Sequence, residues 1–139
     1  MLFLKNEEGK KIYLEDIQRL QAKYNIIFPE ELKNYYLENN GKKIYLCVFG
    51  EEKQYEISKI LPLCDKNSVE SIKDSELIDG FIASDMIPFA MDRGGDYYYW
   101  NSIDKGIYLI RGDDIENPRY ICSSFSELCT ILDNSEIRK

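Results

Sequence analysis

The sequence predicts an α+β fold: a mostly antiparallel sheet, with N-terminal helices and a C-terminal helix packed on it. Three observations carry this prediction. Apolar residues recur at helical spacing between residues 14 and 36, and again between 125 and 132. Short β-branched and aromatic runs bounded by turn residues fill most of the chain between them. The connections between the last of those runs are tight, so neighbouring strands pair antiparallel.

The first helix is read from Leu14, Ile17, Leu20 and Tyr24, which share one face. A second follows at Pro29, a residue suited to the first helical position, with Glu30 and Glu31 favourably placed at the positive end of the helix dipole. Leu32, Tyr35 and Tyr36 form its apolar face, and Asn40-Gly41 is a stop signal. Lys43–Phe49 and Tyr55–Leu63 read as strands flanking a turn at Gly50-Glu51-Glu52-Lys53, and Pro62 ends the second. Residues 68–79 read as a helix opened by a Ser68-x-x-Ser71 cap, with Val69, Ile72 and Leu77 loosely in register.

Met86–Met91, Tyr97–Ile103 and Gly106–Arg111 are three further strands. Asp104-Lys105-Gly106 makes a tight turn between the last two. Arg119–Ser124 adds a short strand. The closing helix is capped by Ser124, with Glu127 completing a capping box and Phe125, Leu128, Ile131 and Leu132 facing inward. No internal repeat or linker interrupts the 139 residues, which predicts a single domain over residues 1–139.

At 44% hydrophobic and 31% charged residues, the composition is that of a folded protein. The apolar run Leu2–Leu4 is too short for a signal peptide, and no later run approaches a membrane span, so a cytoplasmic protein is expected. Ile, Lys, Asn and Tyr are enriched, which points to an AT-rich, bacterial coding sequence. Cys47, Cys64, Cys122 and Cys129 contain no CxxC pair and read as reduced, half-buried small hydrophobes. The chain has no histidine. That removes the commonest general base, every Ser-His or Cys-His nucleophile pair and the usual nitrogen ligand of transition metals. Neither a metal nor a cofactor is expected, and an enzyme becomes a weak reading. Its remaining form is a carboxylate pair such as Asp92 and Asp96, acting as acid and base or holding Mg²⁺.

The net charge of −7 is unevenly placed. Residues 65–116 hold 12 acids against 5 bases, while acids and bases cancel on either side. Such a stretch is a solvated surface or a face tuned to a basic partner. No basic stripe is visible along the chain, so direct binding of nucleic acid is not expected.

Within the acidic stretch lies DRGGDYYYWN, residues 92–101. Gly94-Gly95 lacks the spacing of a phosphate loop and reads as a bend opening a strand. Strand alternation puts Tyr97 and Tyr99 on one face, Tyr98 and Trp100 on the other. The hairpin is therefore apolar on both sides. Either both faces are packed, or one is displayed as a contact patch. Tyr98 and Trp100 are expected in the core, Tyr97 and Tyr99 on display.

The fragments "IIFPEELKNYYLENNG", "IPFAMDRGGDYYYWN", "GIYLI" and "SFSELCTIL", in this order, resemble the SUKH superfamily of Smi/Knr-type domains. The resemblance runs from about Leu14 to Leu132. Pro29, Gly41, Pro88, Phe89, Gly95, Asp96 and Phe125 match it as fold determinants, and no catalytic motif comes with them. The resemblance implies an α+β domain, and many bacterial members neutralise toxins, often nucleases; other branches act in regulation and scaffolding. The expected function is accordingly an immunity protein that binds a cognate toxin with a basic nuclease domain. It would act as a monomer or weak homodimer, with no membrane partner. A regulatory or scaffolding domain is the alternative. The candidate contact residues are Asp92, Asp96, Tyr97, Tyr99, Asp104, Asp113, Asp114 and Glu116. The acids would occupy a cleft built to hold phosphate, and the tyrosines would supply desolvated anchors.

Overall fold

The computed structural model describes all 139 residues. Helices α1 (Leu14–Tyr24) and α2 (Glu30–Asn39) form where the apolar spacing puts them. Asn25, in left-handed conformation, ends α1. Pro29 stands one position earlier than expected. Its φ of −54° suits a helix but its ψ of 144° does not, so it is the N-cap, and its carbonyl accepts the Lys33 N–H at 2.9 Å.

Next come β1 (Leu46–Phe49), β2 (Tyr55–Ile57) and β3 (Lys59–Ile60). The run Tyr55–Leu63, expected as one strand, is two. At Ser58 the chain leaves one sheet for another: the Ser58 N–H and hydroxyl both donate to the Met91 carbonyl, at 2.9 and 3.2 Å. Helix α3 (Val69–Asp79) begins at the reciprocal Ser68–Ser71 cap. Strands β4 (Met86–Met91), β5 (Tyr97–Asn101), β6 (Ile107–Ile110) and β7 (Arg119–Cys122) follow, then α4 (Phe125–Asp133) and β8 (Glu136–Arg138). The Ser124 hydroxyl accepts the Glu127 N–H as expected, but the Glu127 carboxylate reaches Ser123 rather than Ser124.

Two antiparallel sheets result, ordered β2-β1-β8 and β3-β4-β5-β6-β7. Strand β8 has a single apolar residue, Ile137, and owes its conformation to pairing with β1. Pro88, without an N–H, is tolerated inside β4 because a bulge between Pro88 and Ala90 interrupts the ladder there.

Twenty-eight buried residues, drawn from all four helices, both sheets and the segments between them, form one contiguous cluster, so the two sheets share a core. Tyr98 and Trp100 lie inside it. Phe28 meets Trp100 at 5.6 Å between ring centroids, Phe49 meets Tyr98 at 6.3 Å, and Phe89 meets Phe125 edge-on at 5.8 Å. Full burial of each such side chain contributes roughly 1.5–3 kcal/mol.

Asn40, which the sequence marks only as a helix stop, ties three segments together. Its buried amide donates to the Lys10 and Leu63 carbonyls at 2.8 and 3.1 Å, and its Oδ1 accepts the Leu63 N–H at 2.8 Å. The backbone carbonyl of Asn40 accepts the Lys10 N–H at 2.7 Å. Removing the amide leaves the Leu63 N–H and C=O unpaired in the interior. Asn40→Ala is expected to lower the unfolding free energy by about 2–4 kcal/mol in urea titration. Asn34→Ala, on the exposed face of α2, is expected to change it by less than about 0.5 kcal/mol.

Candidate partner-binding face

Register fixes what each face of the large sheet carries. Tyr97 pairs with Ile110, Tyr99 with Tyr108, and Tyr108 with Tyr120, so all of these side chains lie on the face turned away from the shared core. The expected split of the aromatic run therefore holds. The expected display does not hold for Tyr99, which is 2% exposed. Helix α3 lies over it, and its hydroxyl donates to the Glu76 carboxylate. Tyr99 packs with Met86 and Ile110 in a second small core, against which Ile82, Tyr97, Tyr108 and Ile115 lean. Burial, then the bond to Glu76, holds the Tyr99 phenol well above its ordinary pKa. Burial likewise raises Glu76, outweighing the Tyr99 hydroxyl and the Lys73 charge. Tyr97 is half-buried.

The acids divide between the two ends of the β5–β6 hairpin. Asp92, expected on the surface, is 8% exposed, because its Oδ1 accepts the Asp96 N–H at 3.0 Å and closes the glycine turn. Gly95 takes φ +92° in that turn. Asp96 accepts the Gly112 N–H at 2.9 Å and lies 3.5 Å from the Arg111 guanidinium. Asp113, Asp114 and Glu116 follow on the same loop, with Asp114 accepting from the Asn117 amide at 2.7 Å. Asp104 sits at the opposite end, separated by the length of five-residue β5, about 15 Å. It accepts the Gly106 N–H at 2.7 Å and the Tyr108 hydroxyl at 2.6 Å. That bond, then burial, pushes the Tyr108 phenol up to about 12. The structure thus joins Asp96, Tyr97 and residues 113–116, and sets Asp104 apart.

The exposed ring of this face, Tyr120 on β7, lies two strands from where display was expected, beside half-buried Tyr108 on β6. Tyr108 and Tyr120 meet edge-on at 5.7 Å, with Tyr120 59% exposed. Three further apolar residues that the sequence did not single out are exposed: Ile78 at the end of α3, Phe81 in the loop after it and Ile103 in the β5–β6 turn, at 86, 75 and 76%. The segments that carry them are joined where the loop after α3 meets the β5–β6 turn. Lys73, buried on α3, donates to the Ser84 and Met86 carbonyls at 2.9 and 2.7 Å. The Ser102 N–H donates to the Asp85 carbonyl at 2.8 Å, and Ile82 packs on the second core. Asp79, Asp85 and Asp104 lie on the same segments. Of the 12 acids in residues 65–116, only Asp65, Asp74 and Asp96 form ion pairs, so these three carboxylates have no ion-pair partner.

The turn-closing bonds of Asp92 and Asp96 account for their proximity, and no three potential ligand side chains converge to hold a metal ion. No helix is long and apolar enough to cross a membrane. A further feature invisible along the chain is a basic hollow: Lys5, Lys42, Lys43, Lys59 and Lys66 converge from separate segments on the far side of the large sheet. Compared with known families, residues 11–130 match the model of the SMI1 / KNR4 family (SUKH-1). No curated protein matches the chain.

Two outcomes follow from the packing of β5. Tyr99→Ala is expected to lower stability by about 3–5 kcal/mol in chemical denaturation, and Tyr120→Ala by less than about 1 kcal/mol. Glu76→Gln tests the second core by pH. A carboxyl raised on folding contributes stability that is full below its unfolded pKa, near 4.5, and lost as pH rises through the folded value. The variant should therefore gain on the parent more at pH 7 than at pH 4. An equal difference at both would show that Glu76 is solvated.

Proposed function

The chain belongs to the SMI1/KNR4 family (SUKH-1), and on that premise we propose that it is a cytoplasmic immunity protein, which neutralises a cognate toxin by binding it. The family in general includes toxin-immunity proteins. The observation that carries the reading here is the exposure of Ile78, Phe81, Ile103 and Tyr120 on the segments around α3, the β5–β6 turn and β7, together with carboxylates on the first two that have no ion-pair partner. Large apolar side chains this exposed are a surface that a partner covers at gain, and a polar rim is the usual anatomy of a protein-binding patch. The unpaired carboxylates select a positively charged partner and speed its approach.

A nuclease domain fits that requirement, because it holds phosphate with Arg and Lys. In this reading Phe81 and Tyr120 are the desolvated anchors, while Asp79, Asp85 and Asp104 steer. Asp96, Tyr97, Asp113, Asp114 and Glu116 extend the face along the other end of the hairpin. Tyr99 and Asp92 act beneath it, the first by supporting the sheet and the second by shaping the turn. The lack of histidine and the turn-building role of the Asp92–Asp96 pair favour inhibition by contact over catalysis.

Isothermal titration against a toxin domain encoded beside the gene tests the reading. Phe81→Ala and Tyr120→Ala should each weaken binding by about 1–2 kcal/mol with folding intact. Asp79→Lys with Asp104→Lys should slow association at least about tenfold at low salt and flatten its salt dependence. Binding that all four substitutions leave unchanged would exclude this face. Failure of every neighbouring gene product to bind would favour a regulatory or scaffolding domain.

A further inference from the structure

The basic hollow has a charge pattern of its own. It encloses about 470 Å³ and lies along the exposed edge of β3, where the Leu4–Ile44 bridge turns the N-terminal segment toward the small sheet. Five lysines line it: Lys5 from the N-terminal segment, Lys42 and Lys43 after α2, Lys59 on β3 and Lys66 before α3. None of the five forms an ion pair. The four lysines that do, Lys10, Lys23, Lys33 and Lys53, line no part of it. The one carboxylate at the rim, Asp65, is engaged with Lys10 at 3.7 Å. In a chain of net charge −7, five lysines without ion-pair partners are gathered around one concavity. Their mutual repulsion is relieved only by salt or by a bound anion.

We propose that this hollow is a binding site for a compact polyphosphate anion, such as the phosphate chain of a nucleoside triphosphate. The ammonium groups converge on one volume from four chain segments. That geometry matches charge concentrated on a few atoms rather than spread along an extended acidic peptide. Lysine presents mobile point charges that follow successive phosphates without needing the planar fork of arginine. The volume falls within the range of small-molecule sites, and Ile44, Ile60 and Pro62 provide an apolar wall on which a sugar or base can rest. The site lies on the β3 edge of the sheet, away from the proposed toxin-binding face at β6 and β7, and its occupation does not depend on toxin binding.

Titration calorimetry of the full chain with inorganic tripolyphosphate, then with ATP, tests the site. Tripolyphosphate should bind and raise the melting temperature, with the affinity falling steeply as salt is added. Tighter binding of ATP would assign the apolar wall to the nucleoside, and equal binding would assign recognition to the phosphate chain alone. Lys42→Glu with Lys59→Glu should weaken binding at least about tenfold. The control pair Lys23→Glu with Lys53→Glu, of equal charge change, should weaken it far less. Should the reversals disturb folding, Lys43→Gln and Lys66→Gln singly should still weaken binding, while ligand-free melting stays at or above that of the parent. The proposal is overturned by absence of tripolyphosphate binding up to about 1 mM, by equal losses in the two reversal pairs, or by tighter binding of hexaglutamate than of tripolyphosphate.

Discussion

A strand that carries bulky rings on both faces has to be covered on both, and the rest of this molecule is arranged around that demand of β5. Tyr98 and Trp100 are covered by the shared core of α1, α2, α4 and the small sheet. Tyr99 is covered by α3 and by the second small core, against which Tyr97 leans. A helix about 10 Å wide spans roughly two strands spaced about 4.8 Å apart, so α3 can shelter β4 and β5 but not β6 and β7. Tyr99 is therefore sealed against Glu76, while Tyr108 and Tyr120, on the same face, remain accessible. The accessibility of Tyr120 beside half-buried Tyr108 follows from having one helix over a five-stranded sheet.

Charge follows the same division. Within residues 65–116, unpaired acids occupy α3, its following loop and the turns beyond β5 and β6, while five unpaired lysines line the hollow at the β3 edge. Strands β3 and β7 are the two edges of the sheet, about 19 Å apart by strand spacing. The net charge of −7 therefore conceals a local basic hollow at the β3 edge, opposite in sign to the chain as a whole. A basic macromolecule is drawn to the β6–β7 side and kept from the β3 side, so approach is oriented before any contact forms. A small anion experiences the reverse preference.

Local signals carried most of the fold. Caps at Ser68 and Ser124, the stop at Asn40-Gly41, and the alternation of Tyr97 to Trp100 all rest on neighbours within a few residues, and they match the structure. Features set by distant partners were not legible. Ser58 divides one apolar run between two sheets because Met91 offers its carbonyl, and β8 exists because β1 has a free edge. The same limit applies to the candidate face. Period two told which tyrosines share a side, but nothing local told that α3 would cover Tyr99 and leave Tyr120 open. The lysines of the hollow are spread from residue 5 to residue 66, and only the fold assembles them.

Lys73 gives the accessible surface its rigidity. Taking an ammonium out of water is costly, and burial pulls the Lys73 pKa down despite Glu76 and Asp85 nearby. The cost is offset by bonds to backbone carbonyls of residues 84 and 86, whose alternative partner would be water. A methionine of similar length would bury more easily, yet would release the segment from α3 and leave the Met86 carbonyl unpaired beneath it. The charge is thus exchanged for position. It anchors the loop that presents Phe81, and the Ser102 N–H fixes the same loop from the other side at Asp85. A face held in this way loses little conformational freedom when a partner covers it, so more of the gain from burying Phe81 and Tyr120 remains available as affinity.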